Sequence, residues 1–132
     1  MKNLLLVDDS KMFLRVLERI LSPKFKIVAM AHNGEEGFQK FTECRPHLVL
    51  LDITMPEVNG KDCLKRILAH DPNARVIMVS SLGDDATIQE CLRIGAKGFV
   101  RKDAISLSDL TAPGLLEATI ASALESQMAE AV

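Results

Sequence analysis

Residues 48–60 read Leu-Val-Leu-Leu-Asp-Ile-Thr-Met-Pro-Glu-Val-Asn-Gly. Four apolar residues are too few for a helix and are closed by turn formers, which predicts a strand buried on both faces. A carboxylate at the end of such a strand has no packing role, so Asp52 is the leading candidate for chemistry. Pro56 biases Met55 toward extended backbone and Asn59-Gly60 signals a turn or helix start, so the chain leaves the strand through an irregular loop. In a parallel sheet, that is the edge where ligands bind.

The pattern repeats outward from this stretch. Residues 4–7 are a short apolar run ending in Asp8-Asp9-Ser10, and the pairs Met12/Phe13, Val16/Leu17 and Ile20/Leu21 follow at a helical period. Ser10 or Asp9 suits the cap of that helix, and Pro23 ends it. Residues 26–31 read as a second strand, after which Asn33-Gly34-Glu35-Glu36 opens a helix with Gly37, Phe38 and Phe41 on its inner face. Leu64, Ile67 and Leu68 mark a third helix closed by Asp71-Pro72-Asn73, and residues 76–79 a fourth strand ending in Ser80-Ser81. Asp84 or Asp85 opens a fourth helix carrying Ile88, Cys91 and Leu92, and Gly95 ends it. Residues 98–101 form a fifth strand followed by Lys102. A connection longer than the roughly 2–6 residues usual between strand and helix leads to the last helix. Leu116, Ile120, Ala123 and Leu124 mark that helix, with Pro113 suited to its first turn and an Ala-rich end expected to fray after Gln127.

Five strands alternating with five helices call for a three-layer α/β fold, a (βα)5 unit whose right-handed crossovers make the sheet parallel. The 132 residues, 48% apolar and 26% charged, suit one domain over residues 1–132, folded over about 3–127. With a net charge of −2, a pI near 5.9 and Lys and Arg scattered along the chain, no electrostatic footprint for nucleic acid or an anionic membrane is visible. Cys44, Cys63 and Cys91 are odd in number and far apart, as expected of reduced thiols rather than of disulfides or a zinc site. No apolar run approaches the roughly 20 residues of a membrane span, and the chain runs from Met1-Lys2-Asn3 straight into a strand, so the expected location is the cytoplasm.

In a parallel sheet all strand C-termini share one edge, and Asp8, Asp9, Asp52, Ser80 and Lys102 each stand at or just past such an end. Three carboxylates about 4 Å apart repel by roughly 4 kcal/mol per pair at an effective dielectric near 20, so positive charge must sit among them. Oxygen-only ligands favour Mg²⁺, with Mn²⁺ as a substitute, over zinc. Lys102 adds a second positive charge and Ser80 a hydroxyl. A carboxylate nucleophile, a divalent ion, an ammonium group and a hydroxyl donor are the parts that attack a phosphoryl group and hold its oxygens, which points to an aspartyl phosphate on Asp52. An Mg²⁺-dependent phosphohydrolase using the same nucleophile would want a further acid-base carboxylate and a substrate cap, neither evident in so short a chain. A flavodoxin-like FMN carrier would want a Ser/Thr/Gly phosphate loop after the first strand, where two aspartates stand instead.

Val7-Asp8-Asp9-Ser10, the run from Leu51 through Asp52, Ile53, Thr54 and Met55 to Pro56 with Gly60 beyond it, Val79-Ser80-Ser81, and the eight residues from Gly95 to Lys102 together resemble the four signatures of the bacterial response-regulator receiver domain, the CheY-like fold. The resemblance covers nearly the whole chain and implies strand order 2-1-3-4-5. It implies a signalling phosphoacceptor that assists its own phosphorylation and dephosphorylation rather than an enzyme of metabolism. Asp52 would take a phosphoryl group from a sensor histidine kinase or a histidine phosphotransfer protein, in this chain alone or in a longer regulator of which it is a part. Asp9, Asp52 and the backbone carbonyl of Thr54 would bind Mg²⁺, with Asp8 acting largely through water. Ser80 and Lys102 would contact the phosphoryl oxygens, and Phe99 would change rotamer as Ser80 moves. The fourth helix, fifth strand and fifth helix would then present a switched face to a downstream protein, as a monomer or a phosphorylation-dependent homodimer, without nucleic acid or membrane.

Read without the resemblance, Phe99 is a core aromatic of an edge strand, Met12 and Met78 are core fillers, and His32, His47 and His70 are surface residues outside the cleft. Many receiver domains carry Pro directly after the lysine, joined by a cis bond, whereas Asp103 follows Lys102 here. A non-proline cis bond costs about 3–4 kcal/mol, which predicts a trans bond. Leu107 and Leu110 in the long connection predict a short helical turn on the body or a partner-binding lip. By the resemblance, Leu82, two residues past Ser80, and Thr54 would flank the phosphoacceptor, where an apolar residue would screen an acyl phosphate from water.

Overall fold

The computed structural model describes residues 1–55, 58–81, 85–105 and 114–130, with side chains through 125. Five strands, β1 (Asn3–Val7), β2 (Lys26–Ala31), β3 (Leu48–Asp52), β4 (Val76–Ser80) and β5 (Gly98–Arg101), alternate with α1 (Lys11–Leu21), α2 (Gly34–Cys44), α3 (Gly60–His70), α4 (Asp85–Ile94) and α5 (Leu115–Glu130). All neighbouring strands pair in parallel, in the order β2-β1-β3-β4-β5. This is the order that the resemblance implies.

Alternation along the strands splits the core in two. Leu5, Val7, Val49, Leu51, Val76 and Met78 pack under α2, α3 and α4, with Phe41, Cys63, Leu64, Ile67, Ile88 and Cys91 supplied from the helices. Leu4, Leu6, Leu48, Leu50, Ile77, Val79 and Val100 pack under α1 and α5, against Leu14, Leu17, Leu21, Leu116, Ile120 and Ala123. The three central strands are covered on both sides, so they are apolar without the polar alternation of a one-sided strand.

Helix α1 corrects one expectation. Its buried stripe is Leu14, Leu17 and Leu21, at i, i+3 and i+7, whereas Met12 is 78% exposed and fills no core. Met12 lies in the first turn, on the flank away from the sheet, and its neighbour Phe13 is half-buried. Met78, in contrast, is fully buried. Phe99 is also not a core residue: it pairs with Met78 at the sheet edge but remains 38% exposed, because no further strand flanks β5 on its outer side.

Helix ends follow their sequence signals. Ser10, Asn33 and Asn59 each accept a hydrogen bond from the backbone N–H three residues on, so the cap of α1 is Ser10 and not Asp9. Gly95 has φ +136°, a conformation closed to most side chains, and it stops α4 before β5. The three cysteines are free thiols; burial pushes that of Cys63 up to about 12 and raises that of Cys91, which leaves both unreactive. His70 is exposed but sets its ring edge-on to Phe38 and Phe41. Among the described residues no helix is long and apolar enough to cross a membrane.

Candidate functional site

Parallel pairing brings four strand ends to one edge. Asp8 follows β1, Asp52 ends β3, Ser80 ends β4, and Lys102 follows β5. Register fixes them relative to one another: Asp52 lies opposite Val79 and Ser80 opposite Arg101. The loop after β3 is held by the Ile53 N–H donating to Val79 O at 3.0 Å and the Gly60 N–H donating to Ile53 O at 2.8 Å. Gly60 permits this closeness, since a Cβ there would stand 2.1 Å from the Asp52 carbonyl oxygen and 2.6 Å from Ile53 Cα.

Asp8, Asp9 and Asp52 form a cluster with one ligand oxygen from each lying within 4.8 Å of the others. Asp8 and Asp52 are each 1% exposed, while Asp9 faces solvent. Asp8 uses Oδ1 locally, accepting from the Ser10 N–H at 2.8 Å. Its Oδ2 and both carboxylate oxygens of Asp52 are buried without a hydrogen bond of good geometry from any described residue. Lys102 Nζ lies 2.9 Å from Asp8 Oδ2 and 3.5 Å from Asp52 Oδ2, and 4.8 Å above the centre of the Phe13 ring. One ammonium ion therefore serves two buried anions, and neither is fully satisfied.

The electrostatics follow from this shortage. Burial, and next the charge of Asp8, raise the pKa of Asp52 from its ordinary 3.8 to about 7, while Lys102 and the Thr54 backbone N–H pull in the other direction. Burial alone would lower the pKa of Lys102, but its contacts with Asp8 and Asp52 outweigh that and leave it raised, so the ammonium stays charged. The donor set fits a divalent ion: it holds carboxylates only, buried oxygens await a partner, and Thr54 is exposed on the rim. Such an ion would also restore Asp52 to the ionised form that a nucleophile requires.

The remaining sequence candidates have defined places. The Ser80 hydroxyl is buried and donates to Val100 O over a long 3.4 Å, toward β5 rather than toward Asp52. Phe99 precedes Val100 on the same strand, half open to solvent. No cis peptide occurs among the described residues, so the bond between Lys102 and Asp103 is trans, as expected of a residue other than proline. A 3₁₀ turn, Lys102–Ala104, follows, and Ile105 after it packs on the core under α1 and α5. Pro56, Leu82, Asp84, Leu107, Leu110 and Pro113, on which further expectations fall, lie outside the described residues. Two contacts had no signal in the sequence: Phe13 beneath the Lys102 ammonium, where a helix apolar residue reads only as core, and the Arg101 to Asp85 ion pair that ties β5 to the start of α4.

The family model for the response regulator receiver domain matches residues 4–112. The chemotaxis protein CheY of Thermotoga maritima is 39% identical over 102 residues, 76% of this chain and 85% of that one. CheY of Listeria monocytogenes is 42% identical over 104 residues, 77% and 87% of the two chains. A protein-glutamate methylesterase/protein-glutamine glutaminase of Bacillus licheniformis is 47% identical over 113 residues, 82% of this chain but 31% of that longer protein. Among solved structures, the CheX-CheY-BeF3-Mg²⁺ complex from Borrelia burgdorferi superposes with a TM-score of 0.78 at 35% identity, covering 96% of this chain and 89% of the matched one. The response regulator domain of Thermotoga maritima CheB gives 0.80 at 39% identity, with 93% and 96% covered. The chain belongs to the response regulator receiver domains, the phosphoacceptors of two-component signalling.

Proposed function

We propose that Asp52 is the phosphoacceptor and that its phosphoryl group comes from a histidine of a sensor kinase or a phosphotransfer protein. The observation that carries this reading is Asp52 itself, a buried carboxylate at a strand end with two unsatisfied oxygens and an ammonium group 3.5 Å away. In the transfer an Asp52 oxygen attacks phosphorus, the P–N bond of the phosphohistidine breaks, and its electron pair stays on the imidazole nitrogen. Lys102 would neutralise a phosphoryl oxygen, a role supported by its position between Asp8 and Asp52. Asp9, Asp52 and the Thr54 carbonyl would hold Mg²⁺, with Asp8 mainly through water. When bound, Mg²⁺ supplies charge neutralisation for the carboxylates and the transferring group. A relative solved with Mg²⁺ and BeF3, a mimic of a phosphoryl group, supports this assignment.

Signalling follows from what the new charge pulls on. The Ser80 bond to Val100 O is long and weak, so a phosphoryl oxygen competes for that hydroxyl at little cost. Movement of Ser80 alters β4 where it pairs with β5, and half-exposed Phe99 has room to change rotamer in response. The face of α4, β5 and α5 then carries the state to a downstream protein. The Lys102 to Asp8 ion pair supports a role for Lys102 in holding the resting site as well.

Mass spectrometry after incubation with acetyl phosphate and Mg²⁺ tests the assignment. The wild type should gain one phosphoryl group and Asp52→Asn none. Labelling of the Asn variant at another aspartate, or steady turnover of small phosphate esters by the wild type, would overturn it.

A further inference from the structure

Some of the basic residues that are scattered in sequence come together in space. Lys26 is the first residue of β2, and Lys2, His47, Arg75 and Lys97 each immediately precede β1, β3, β4 and β5. Backbone hydrogen bonds join them across the sheet in strand order: the Lys26 N–H donates to Lys2 O, His47 N–H to Asn3 O, Val49 N–H to Arg75 O, and Lys97 N–H to Val76 O. With strands about 4.8 Å apart, five basic positions line the N-terminal edge over about 19 Å. Arg45, exposed in the left-handed C-cap of α2, extends the row at its middle.

Basic groups near helix C-termini offset the helix dipole, and the helices do end at this edge. That role is already filled on the helices, where Arg19, His70 and Arg93 occupy the last turns of α1, α3 and α4. The row stands on strand starts instead. Lys2, Lys26, Arg45 and Arg75 make no ion pair with another described residue, and the Nε of Arg75 is buried with no hydrogen-bond partner. The row also repels itself: besides burial, Lys2, Arg75 and the N-terminal ammonium lower the pKa of His47, whose Nδ1 accepts from the Asn3 N–H at 2.8 Å.

We propose that this edge, opposite the phosphoacceptor, docks an acidic segment of a protein partner. Carboxylates match the guanidinium forks of Arg45 and Arg75. A recess of about 320 Å³ adjoins the row at Arg45, lined by Phe41, Thr42, Arg45, Pro46, His70 and Asp71, with Phe41 and Pro46 as its apolar members. Asp71 in that recess and Glu43 two residues before Arg45 disfavour a long, densely charged polyanion over a short segment.

The test is NMR titration of ¹⁵N-labelled protein with a glutamate-rich decapeptide containing one leucine, at about 0.15 M salt. The expected result is a saturable shift of amides at residues 2–3, 26, 45–49 and 75. The Lys2→Glu, Lys26→Glu double variant, changed only at exposed positions, should weaken binding at least tenfold. Arg45→Asn, whose new residue tolerates the left-handed cap, should weaken it severalfold. Phosphorylation by acetyl phosphate should be unchanged in all variants, which separates this edge from the Asp52 assignment. Shifts that map elsewhere, affinity indifferent to the variants, or equal or tighter binding of oligothymidylate or phosphatidylserine vesicles at the same residues would overturn the proposal.

Discussion

Replacing Asp52 by Asn should make the metal-free protein more stable, although it removes the proposed phosphoacceptor. The folded state raises the pKa of Asp52 from 3.8 to about 7, and at about 1.4 kcal/mol per unit this is roughly 4 kcal/mol against the charged form. The amide escapes that penalty. Part of the gain is offset, because Lys102 loses an ion partner at 3.5 Å and a buried polar group without good hydrogen bonds costs about 1–3 kcal/mol. Lys102 keeps Asp8 at 2.9 Å, and an amide N–H can donate to the unsatisfied Oδ2 of Asp8. The expected net gain is therefore about 1–3 kcal/mol at pH 8 in chelator.

The sign with pH follows from the raised pKa. Between about pH 4 and 7 the folded wild type holds a proton that the unfolded chain has lost, so its stability falls as pH rises through that window and the full penalty stands above about pH 7. Asn at this position does not titrate, so the gap between the two proteins should be widest at pH 8 and close by about pH 4. Mg²⁺ should close it from the other side, adding about 1.4 kcal/mol to the wild type at ten times the dissociation constant and less to a variant lacking one ligand. Urea unfolding followed by circular dichroism at pH 8 and pH 4.5, with chelator and with Mg²⁺, measures all of this. An Asn variant less stable than wild type at pH 8 in chelator, or a gap that ignores pH, would refute the account of Asp52 as a destabilised anion.

Gly60→Ala should cost about 3 kcal/mol in urea unfolding, since its Cβ would collide with the Asp52 carbonyl; a loss under about 1 kcal/mol would mean that the loop yields. Leu17→Ala should cost about 3 kcal/mol and Met12→Ala less than about 0.5, because the first is 2% exposed and the second 78%; equal effects would contradict the phase of α1. Leu82→Glu should change the dephosphorylation rate severalfold if Leu82 screens the acyl phosphate, and a rate equal to wild type, read by loss of the phosphoryl mass, would remove that role.

Much of the fold was legible because parallel strands buried on both faces leave short apolar runs such as 48–51, and because Asn and Gly mark the helix ends at Asn33, Asn59 and Gly95. The convergence of Asp8, Asp52 and Lys102 followed from one rule about parallel sheets applied to three strand ends. The errors have a common cause. Met12 and Phe99 were placed by their apolarity, yet whether an apolar residue is covered depends on what packs across from it. Met12 falls one step off the buried stripe of α1, and Phe99 faces the uncovered margin of the last strand. The direction of the Ser80 hydroxyl and the ring beneath Lys102 are likewise products of packing between distant segments.

Net charge was the least informative quantity of all, and the topology explains why. A parallel sheet sends every strand start to one edge and every strand end to the other, so it sorts charges that are interleaved in sequence. The carboxylates Asp8, Asp9 and Asp52 collect at one pole, and Lys2, Lys26, Arg45 and Arg75 at the opposite one. A five-residue strand separates the poles by about 17 Å at roughly 3.3 Å per residue. That is about twice the screening length at physiological salt, so neither pole neutralises the other despite a formal sum of −2. Each pole must find its own counter-charge. At the acidic edge Lys102 meets only part of the need, which leaves room for a divalent ion. At the basic edge no described acid pairs with Lys2, Lys26, Arg45 or Arg75, which leaves their charge to solvent ions or to the acidic partner proposed above.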